Sequence, residues 1–224
     1  MKHEIKGQTF PVVICHLDAG EQVTCETGAM LWMSPNMQMA TSTGGGIGKM
    51  FTRAISGEGL FVNQYTAGDG KPGMIAFGPK NPGEIHAIDV SAQNIKAQKG
   101  SFLASCSTVQ MEVAFQKKIG AALFGGDFIL QQYKGSGTVF LAIDGGTVQY
   151  TLGAGKKLVI DSSAFAFAES SITVDIERVK GLANMLGGGE GAFNTVLTGP
   201  GTVWLQTMPM SVLAAAINQF LPKK

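Results

Sequence analysis

One recurring pattern restricts the folds open to this chain: an apolar β-type run, a tight glycine turn, and a second β-type run. It is clearest where Asp127-Phe128-Ile129-Leu130-Gln131-Gln132-Tyr133-Lys134 meets Gly135-Ser136-Gly137 and continues as Thr138-Val139-Phe140-Leu141-Ala142-Ile143. Upstream, Leu60-Phe61-Val62-Asn63-Gln64-Tyr65 passes through Gly68-Asp69-Gly70 and Pro72-Gly73 into Met74-Ile75-Ala76-Phe77. Downstream, Phe193-Asn194-Thr195-Val196-Leu197 turns at Gly199-Pro200-Gly201 into Thr202-Val203-Trp204-Leu205. Glycine reaches positive φ without a Cβ clash, and β-branched and aromatic flanks favour strands, so each copy reads as a β-hairpin.

The surrounding sequence follows the same period, giving three passes of one module at about residues 10–80, 83–146 and 147–209. Each pass opens with a strand, a turn and a strand: Val13 to Leu17 turning at Asp18-Ala19-Gly20-Glu21, Ile85 to Val90 turning near Ser91 to Asn94, and Val148 to Leu152 turning at Gly153-Ala154-Gly155-Lys156. A landmark of small then apolar residues follows at Gly28-Ala29-Met30-Leu31, Gly100-Ser101-Phe102-Leu103 and Ser163-Ala164-Phe165-Ala166. Next comes an alternating strand, as in Ile172-Thr173-Val174-Asp175-Ile176-Glu177, whose apolar residues share one face at period two.

Between that strand and the hairpin, every pass carries a glycine-rich insertion with apolar residues at helical spacing and at least two cations. The helical spacing runs through Ile47, Met50, Phe51 and Ile55, through Ile119 and Leu123, and through Val179, Leu182, Met185 and Leu186, with Phe124 adding to the apolar contact. The cations are Lys49 and Arg53, Lys117 and Lys118, and Arg178 and Lys180. Each insertion is expected to form a short amphipathic turn or two of helix. Gathered at one end of three equivalent modules, they would make an apolar and basic surface suited to an anionic membrane face or a protein partner. The chain then closes with a helix expected over residues 210–221, punctuated by Pro209 and Pro222. Its apolar residues lie on nearly every side, so it is expected to dock on the β body or on another subunit of a homo-oligomer.

Charge narrows the function classes. Only 15% of the 224 residues are charged and the formal net charge is +1, which argues against a dedicated nucleic-acid binder with its strongly basic face. Thirty-one glycines against eight prolines fit an ordered β protein with many tight turns. The first residues, Met1 to Gly7, lack the apolar core of a secretory signal, and no run is long and apolar enough to span a bilayer as a helix, so a cytoplasmic location is expected. The three cysteines, Cys15, Cys25 and Cys106, lie in apolar runs and are expected to be reduced, buried thiols.

No residue pattern points to catalysis or to a bound metal or cofactor. His16 adjoins Cys15, but strand neighbours point to opposite faces, and His3 and His86 stand apart from other ligand types. Glu58, Asp127 and Glu190 fall near the three hairpin starts one residue out of register, which reads as solvated turn carboxylates. There is no Gly-x-Ser-x-Gly elbow. Gly153-Ala154-Gly155-Lys156-Lys157 lacks the spacing and the Ser/Thr of a phosphate loop, and reads as a hairpin turn.

Gly57-Glu58-Gly59-Leu60-Phe61, Gly125-Gly126-Asp127-Phe128, the glycine-rich insertions and the three-pass layout together resemble the altered-inheritance-of-mitochondria protein family, over about residues 5–210. The resemblance implies an all-β, barrel-like or sandwich-like fold similar to the tryptophan RNA-binding attenuator protein. For mitochondrial relatives it implies a role in inner-membrane organisation, and it brings no catalytic motif. The reading is therefore an all-β chain of three antiparallel modules in a pseudo-threefold arrangement, acting as a non-enzymatic scaffold or membrane-peripheral interaction protein. The alternative is a small-ligand or RNA-binding module of attenuator-protein-like fold.

Overall fold

The computed structural model describes residues 1–41, 62–117, 128–178 and 193–222. A first strand, β1 (Lys2–Lys6), is followed by β2 (Val12–Leu17), β3 (Gln22–Glu26), β4 (Met30–Met33), β5 (Met37–Thr41), β6 (Val62–Ala67) and β7 (Gly73–Phe77). The next six are β8 (Gly83–Asp89), β9 (Ile95–Gln98), β10 (Phe102–Cys106), β11 (Val109–Lys117), β12 (Phe128–Gly135) and β13 (Thr138–Asp144). The last six are β14 (Thr147–Leu152), β15 (Lys157–Asp161), β16 (Phe165–Glu169), β17 (Thr173–Arg178), β18 (Phe193–Thr198) and β19 (Gly201–Gln206), followed by the helix α1 (Met210–Asn218). The architecture is all-β with a C-terminal helix.

The strands form four antiparallel sheets, ordered β1-β2-β7-β4, β5-β6-β3-β10-β13-β8, β11-β12-β9-β16-β19-β14 and β15-β18-β17. Adding six to each strand number of the second sheet yields the third. Each six-stranded sheet thus joins three strands of one module to three of the next, along β3·β10 in one case and β9·β16 in the other. A β-bulge recurs at matching places, between Met30 and Trp32, Phe102 and Ala104, and Phe165 and Phe167.

Three apolar cores lie between consecutive sheets. Val13, Cys15, Ile75 and Phe77 of the first sheet meet Val23, Tyr65 and Phe140 of the second. Val139 and Leu141, on the second sheet, meet Ile95, Tyr133 and Phe167 of the third. Leu130, Phe165 and Val203 of the third meet Ile160, Ile176 and Leu197 of the fourth. The two middle sheets are covered on both faces, which is why β10 and β16 are buried along four consecutive residues and carry no polar alternation. By contrast β17, at a sheet edge, buries Ile176 and exposes its neighbours Asp175 and Glu177. The sheets face one another as in a sandwich, and no barrel closes.

The pairing corrects the hairpin reading. β12 pairs with β11 and β9, whereas β13 pairs with β10 and β8, so the glycine turn between them passes the chain from one sheet to the next. The same is true of β6 and β7 and of β18 and β19. At the middle turn Gly135 and Gly137 do have positive φ, 106° and 98°. Its polar groups, however, are met from outside: Thr108 Oγ1 donates to the Ser136 carbonyl at 2.5 Å, and the Gly137 amide donates to Ser91 Oγ at 2.8 Å. Glycine permits the reversal but does not choose the strand's partner. Likewise Gly153 to Lys156 is a tight turn, with the Lys156 amide on the Gly153 carbonyl at 3.0 Å, yet β14 and β15 part into different sheets. Strand pairs adjacent in sequence are β1·β2 and, where the insertions intervene, β5·β6, β11·β12 and β17·β18.

The expected C-terminal helix forms, and of the two docking places expected for it the β body is not the one used. It ends at Asn218, and none of its residues is buried. Val212, Ile217, Phe220 and Leu221 are exposed, so the segment does not dock on the β body. It is tethered at its first turn, where Asp144 Oδ2 accepts from the Met210 amide at 2.9 Å in place of a local cap.

Candidate functional site

Of the insertion residues, Ile47, Lys49, Met50, Phe51, Arg53, Ile55, Lys118, Ile119, Leu123, Phe124, Val179, Lys180, Leu182, Met185 and Leu186 lie outside the described residues. So do the turn carboxylates Glu58, Asp127 and Glu190. Lys117 and Arg178 are the last residues of β11 and β17. The backbone does fix where the insertions are rooted. Thr41 lies opposite Asn63, Lys117 opposite Phe128 and Arg178 opposite Phe193, at the ends of equivalent strand pairs in three successive sheets. β5, β11 and β17 are in each case the edge strand of the sheet.

A polar cluster that the sequence reading passed over joins the second and third modules. Glu84 and His86 are two residues apart on the edge strand β8 and so share a face. Thr147 opens β14, the edge strand of the next sheet, and the turn at Asp144-Gly145-Gly146 brings the two edges together. Thr147 Oγ1 donates to Glu84 Oε2 at 2.7 Å. His86 Nε2 lies 3.2 Å from that same carboxylate oxygen and 3.2 Å from Thr147 Oγ1. The imidazole rests against the Phe167 ring at 5.2 Å, and Phe167 is stacked on Trp204 at 4.5 Å with the planes 12° apart. A hollow of about 650 Å³ opens beside the cluster, lined by Ile5, Pro11, Gly83, Glu84, His86 and Gly145 among others. Asp144 braces the turn, its Oδ1 accepting from Asn81 Nδ2 at 3.1 Å.

Burial pushes the Glu84 carboxyl up, but the Thr147 hydroxyl and the His86 ring together outweigh it and hold the group below its ordinary value. Threonine, histidine and glutamate invite comparison with a nucleophile, base and acid. In such a relay the imidazole takes the hydroxyl proton on one ring nitrogen and is held by the carboxylate on the other. Here hydroxyl and carboxylate both face Nε2. With the Thr147 proton directed at Glu84 and Nε2 protonated, every contact is satisfied, and no lone pair is left on that nitrogen to activate the hydroxyl. The cluster ties two edge strands across a module boundary.

The other candidate chemistry falls to structural roles. Burial pushes the Cys15 and Cys25 thiols up to about 12, leaving them protonated and poorly nucleophilic at neutral pH, while Cys106 is half-buried. Cys15 is buried and its neighbour His16 exposed, on opposite faces as a strand requires, and His16 lies 3.5 Å from Glu4. The His3 ring meets the Phe140 ring edge-on at 4.9 Å. Among the described residues, no group of three or more His, Cys, Asp or Glu side chains is placed to hold a metal ion, and no helix is long and apolar enough to cross a membrane.

The Glu84 and His86 pairing had a sequence signal, since i and i+2 of a strand share a face. Thr147 had none, because its approach depends on which sheets β8 and β14 join.

The chain is similar to known proteins over almost its whole length. An uncharacterized protein of Streptococcus pyogenes serotype M6 is 29% identical over 227 residues, covering 97% of this chain and 89% of the relative. A Streptococcus pyogenes protein solved by X-ray crystallography superposes with a TM-score of 0.81 at 25% identity, covering 98% of this chain and 99% of that one. The family model described as mitochondrial biogenesis AIM24 matches residues 3–208, and the chain belongs to that family.

Proposed function

We infer that the chain is a non-enzymatic, cytoplasmic, membrane-peripheral scaffold that presents its three insertions to an anionic membrane surface. The observation that carries this reading is the common rooting of the insertions, each at the end of an equivalent edge-strand pair in successive sheets. Each insertion brings apolar residues and a pair of cations, led by Phe51 with Lys49 and Arg53, Phe124 with Lys117 and Lys118, and Leu186 with Arg178 and Lys180. A cation close to an anionic leaflet contributes about 1 kcal/mol, so one insertion binds weakly and three carried on one chain bind together. The non-enzymatic reading is supported by the shared Nε2 geometry of Glu84, His86 and Thr147 and by the protonated buried thiols.

The test is co-sedimentation of the full chain with vesicles of phosphatidylcholine alone or mixed with phosphatidylserine. The chain should pellet with the anionic vesicles only, less so as salt rises, and the combined Phe51→Ser, Phe124→Ser and Leu186→Ser variant should stay in the supernatant. A wild-type chain that ignores anionic vesicles at low salt, or a triple variant that binds as well as wild type, removes the reading.

A further inference from the structure

The strand register brings the C-terminal helix and the three insertion roots to the same end of the sheets. In the second sheet Asn63, Cys25, Ala104 and Phe140 lie side by side across four strands. From that row β13 runs to Asp144 in the direction that leads from Asn63 back to Val62 and the first root. In the third sheet the corresponding row is Gln131, Ala97, Phe167 and Trp204, and β19 leaves it for Gln206 on the side toward Phe128 and the second root. In the fourth, Arg178 and Phe193 pair at the root, the next residue Asn194 pairs with Asp161, and Gln206 Nε2 donates to the nearby Ser163 carbonyl at 2.7 Å. Asp144 and Gln206 therefore stand at the root end, and α1 springs from them, its Met210 amide on Asp144 Oδ2. The loop between β1 and β2 arrives at the same place, since Gly83, opposite Asp144, donates its amide to the Thr9 carbonyl.

What these elements display is apolar. Phe10 on that loop is 75% exposed and Phe220 just past the helix is 83% exposed, the two highest values among the large apolar side chains described. Met208, Val212, Ile217 and Leu221 are exposed with them. No charged residue occurs from Gly7 to Cys15 or from Thr207 to Pro222. The helix is nine residues long, has no side-chain cap and buries nothing, and a helix that short is marginal in water unless a surface covers its apolar side.

A bilayer fits this arrangement better than a protein does. Val212 and Ile217 share one side of α1, Ser211 and Asn218 share another, and Phe10 stands on a separate loop, so what unites the apolar groups is their common end and not one contiguous groove. A lipid interface accepts apolar side chains at one level without shape complementarity. Charge agrees: Lys117 and Arg178 close β11 and β17 at this end, and Lys223-Lys224 follow the helix in sequence. The carboxylates there are held by hydrogen bonds, Asp144 from Asn81, Glu84 from Thr147 and Asp161 from Ser163.

We propose that Phe10 and the apolar side of α1, with Phe220, enter the headgroup boundary of an anionic bilayer, which makes this the membrane-facing end of the chain. The proposal rests on the membrane-peripheral reading, but it acts through residues outside the insertions.

The test places an environment-sensitive fluorophore on the full chain at Phe10→Cys, at Phe220→Cys or, in the glycine turn at the opposite end, at Ser136→Cys. A Cys106→Ser background leaves only the buried Cys15 and Cys25. With vesicles of phosphatidylcholine and phosphatidylserine, the labels at residues 10 and 220 should shift to the blue and be quenched by nitroxide-bearing lipid, and the label at residue 136 should do neither. Phe10→Ser combined with Phe220→Ser should weaken vesicle binding about tenfold or more with the urea midpoint unchanged, because both rings stand in water. A chain that pellets with these vesicles while both labels stay in water overturns this proposal and leaves the membrane reading intact. A wild type that ignores the vesicles overturns both. Labels that shift with protein concentration in the absence of lipid would mean that a second copy covers the face, which also overturns the proposal. Labels that shift while the triple insertion variant binds as well as wild type remove the insertions from the reading and keep this face.

Discussion

Thr24 faces Ser105 across the seam between the first two modules, and its buried Oγ1 has no hydrogen-bond partner among the described residues. A hydroxyl removed from water without compensation costs free energy, and valine matches threonine in shape while keeping the β-branched side chain that strands favour. Thr24→Val should raise the stability of the fold by about 1 kcal/mol. An unchanged or lower urea midpoint would show that the hydroxyl is satisfied in solution.

Gly83 begins β8, pairs with Asp144, and donates its amide to the Thr9 carbonyl at 2.9 Å. A Cβ built there would lie 1.9 Å from the carbonyl oxygen of Ile143, a backbone atom that cannot rotate away. Gly83→Ala should therefore destabilise the chain by about 2 kcal/mol or more, through forced separation of β8 from β13. Chemical denaturation within a few tenths of a kcal/mol of wild type would contradict that.

The tie between Glu84, His86 and Thr147 makes stability depend on acid. The folded carboxyl titrates below the unfolded value of 4.5, so its contribution is full above that value and is lost as pH falls through the lower, folded one. The stability difference between wild type and Glu84→Gln should accordingly be largest at neutral pH and shrink on acidification below the unfolded value. Parallel urea titrations over that range measure it, and a difference that stays constant or grows toward acid would exclude the tie as drawn.

Thiol accessibility should divide the cysteines. Cys15 and Cys25 are buried with their thiols pushed up to about 12, whereas Cys106 is half-buried, its Sγ 3.4 Å from the Thr138 amide. Iodoacetamide on the native protein should label Cys106 first, and the other two only on unfolding. Peptide mapping that finds Cys15 or Cys25 alkylated as fast as Cys106 would mean that the first core opens more readily than its packing implies.

Most strand positions were legible from local pattern. Ile172 to Glu177 alternates because β17 has one covered face, and Phe102 to Ser105 does not alternate because β10 has two. The glycine-rich insertions lie outside the described residues, and the strand pairs that flank them end at equivalent places. The polar tie was only half legible: Glu84 and His86 share a face by period, but nothing near Thr147 in sequence announces its neighbours.

Pairing is what the local pattern could not supply. A glycine turn flanked by β-formers is compatible with a hairpin, and also with an arch that sends β12 and β13 into different sheets, because positive φ reverses the chain in both. The choice rests on hydrogen bonds made to strands far away in sequence and on the area buried between sheets, neither of which is encoded at the turn. By itself, then, the sequence determined the all-β class and most strand positions, which follow from side-chain alternation and backbone sterics within a few residues. Only the tertiary structure decided the partners, the brace at Asp144 and the gathering of Phe10 and α1 at the end where the insertions are rooted, since each depends on which distant backbones come within hydrogen-bonding reach.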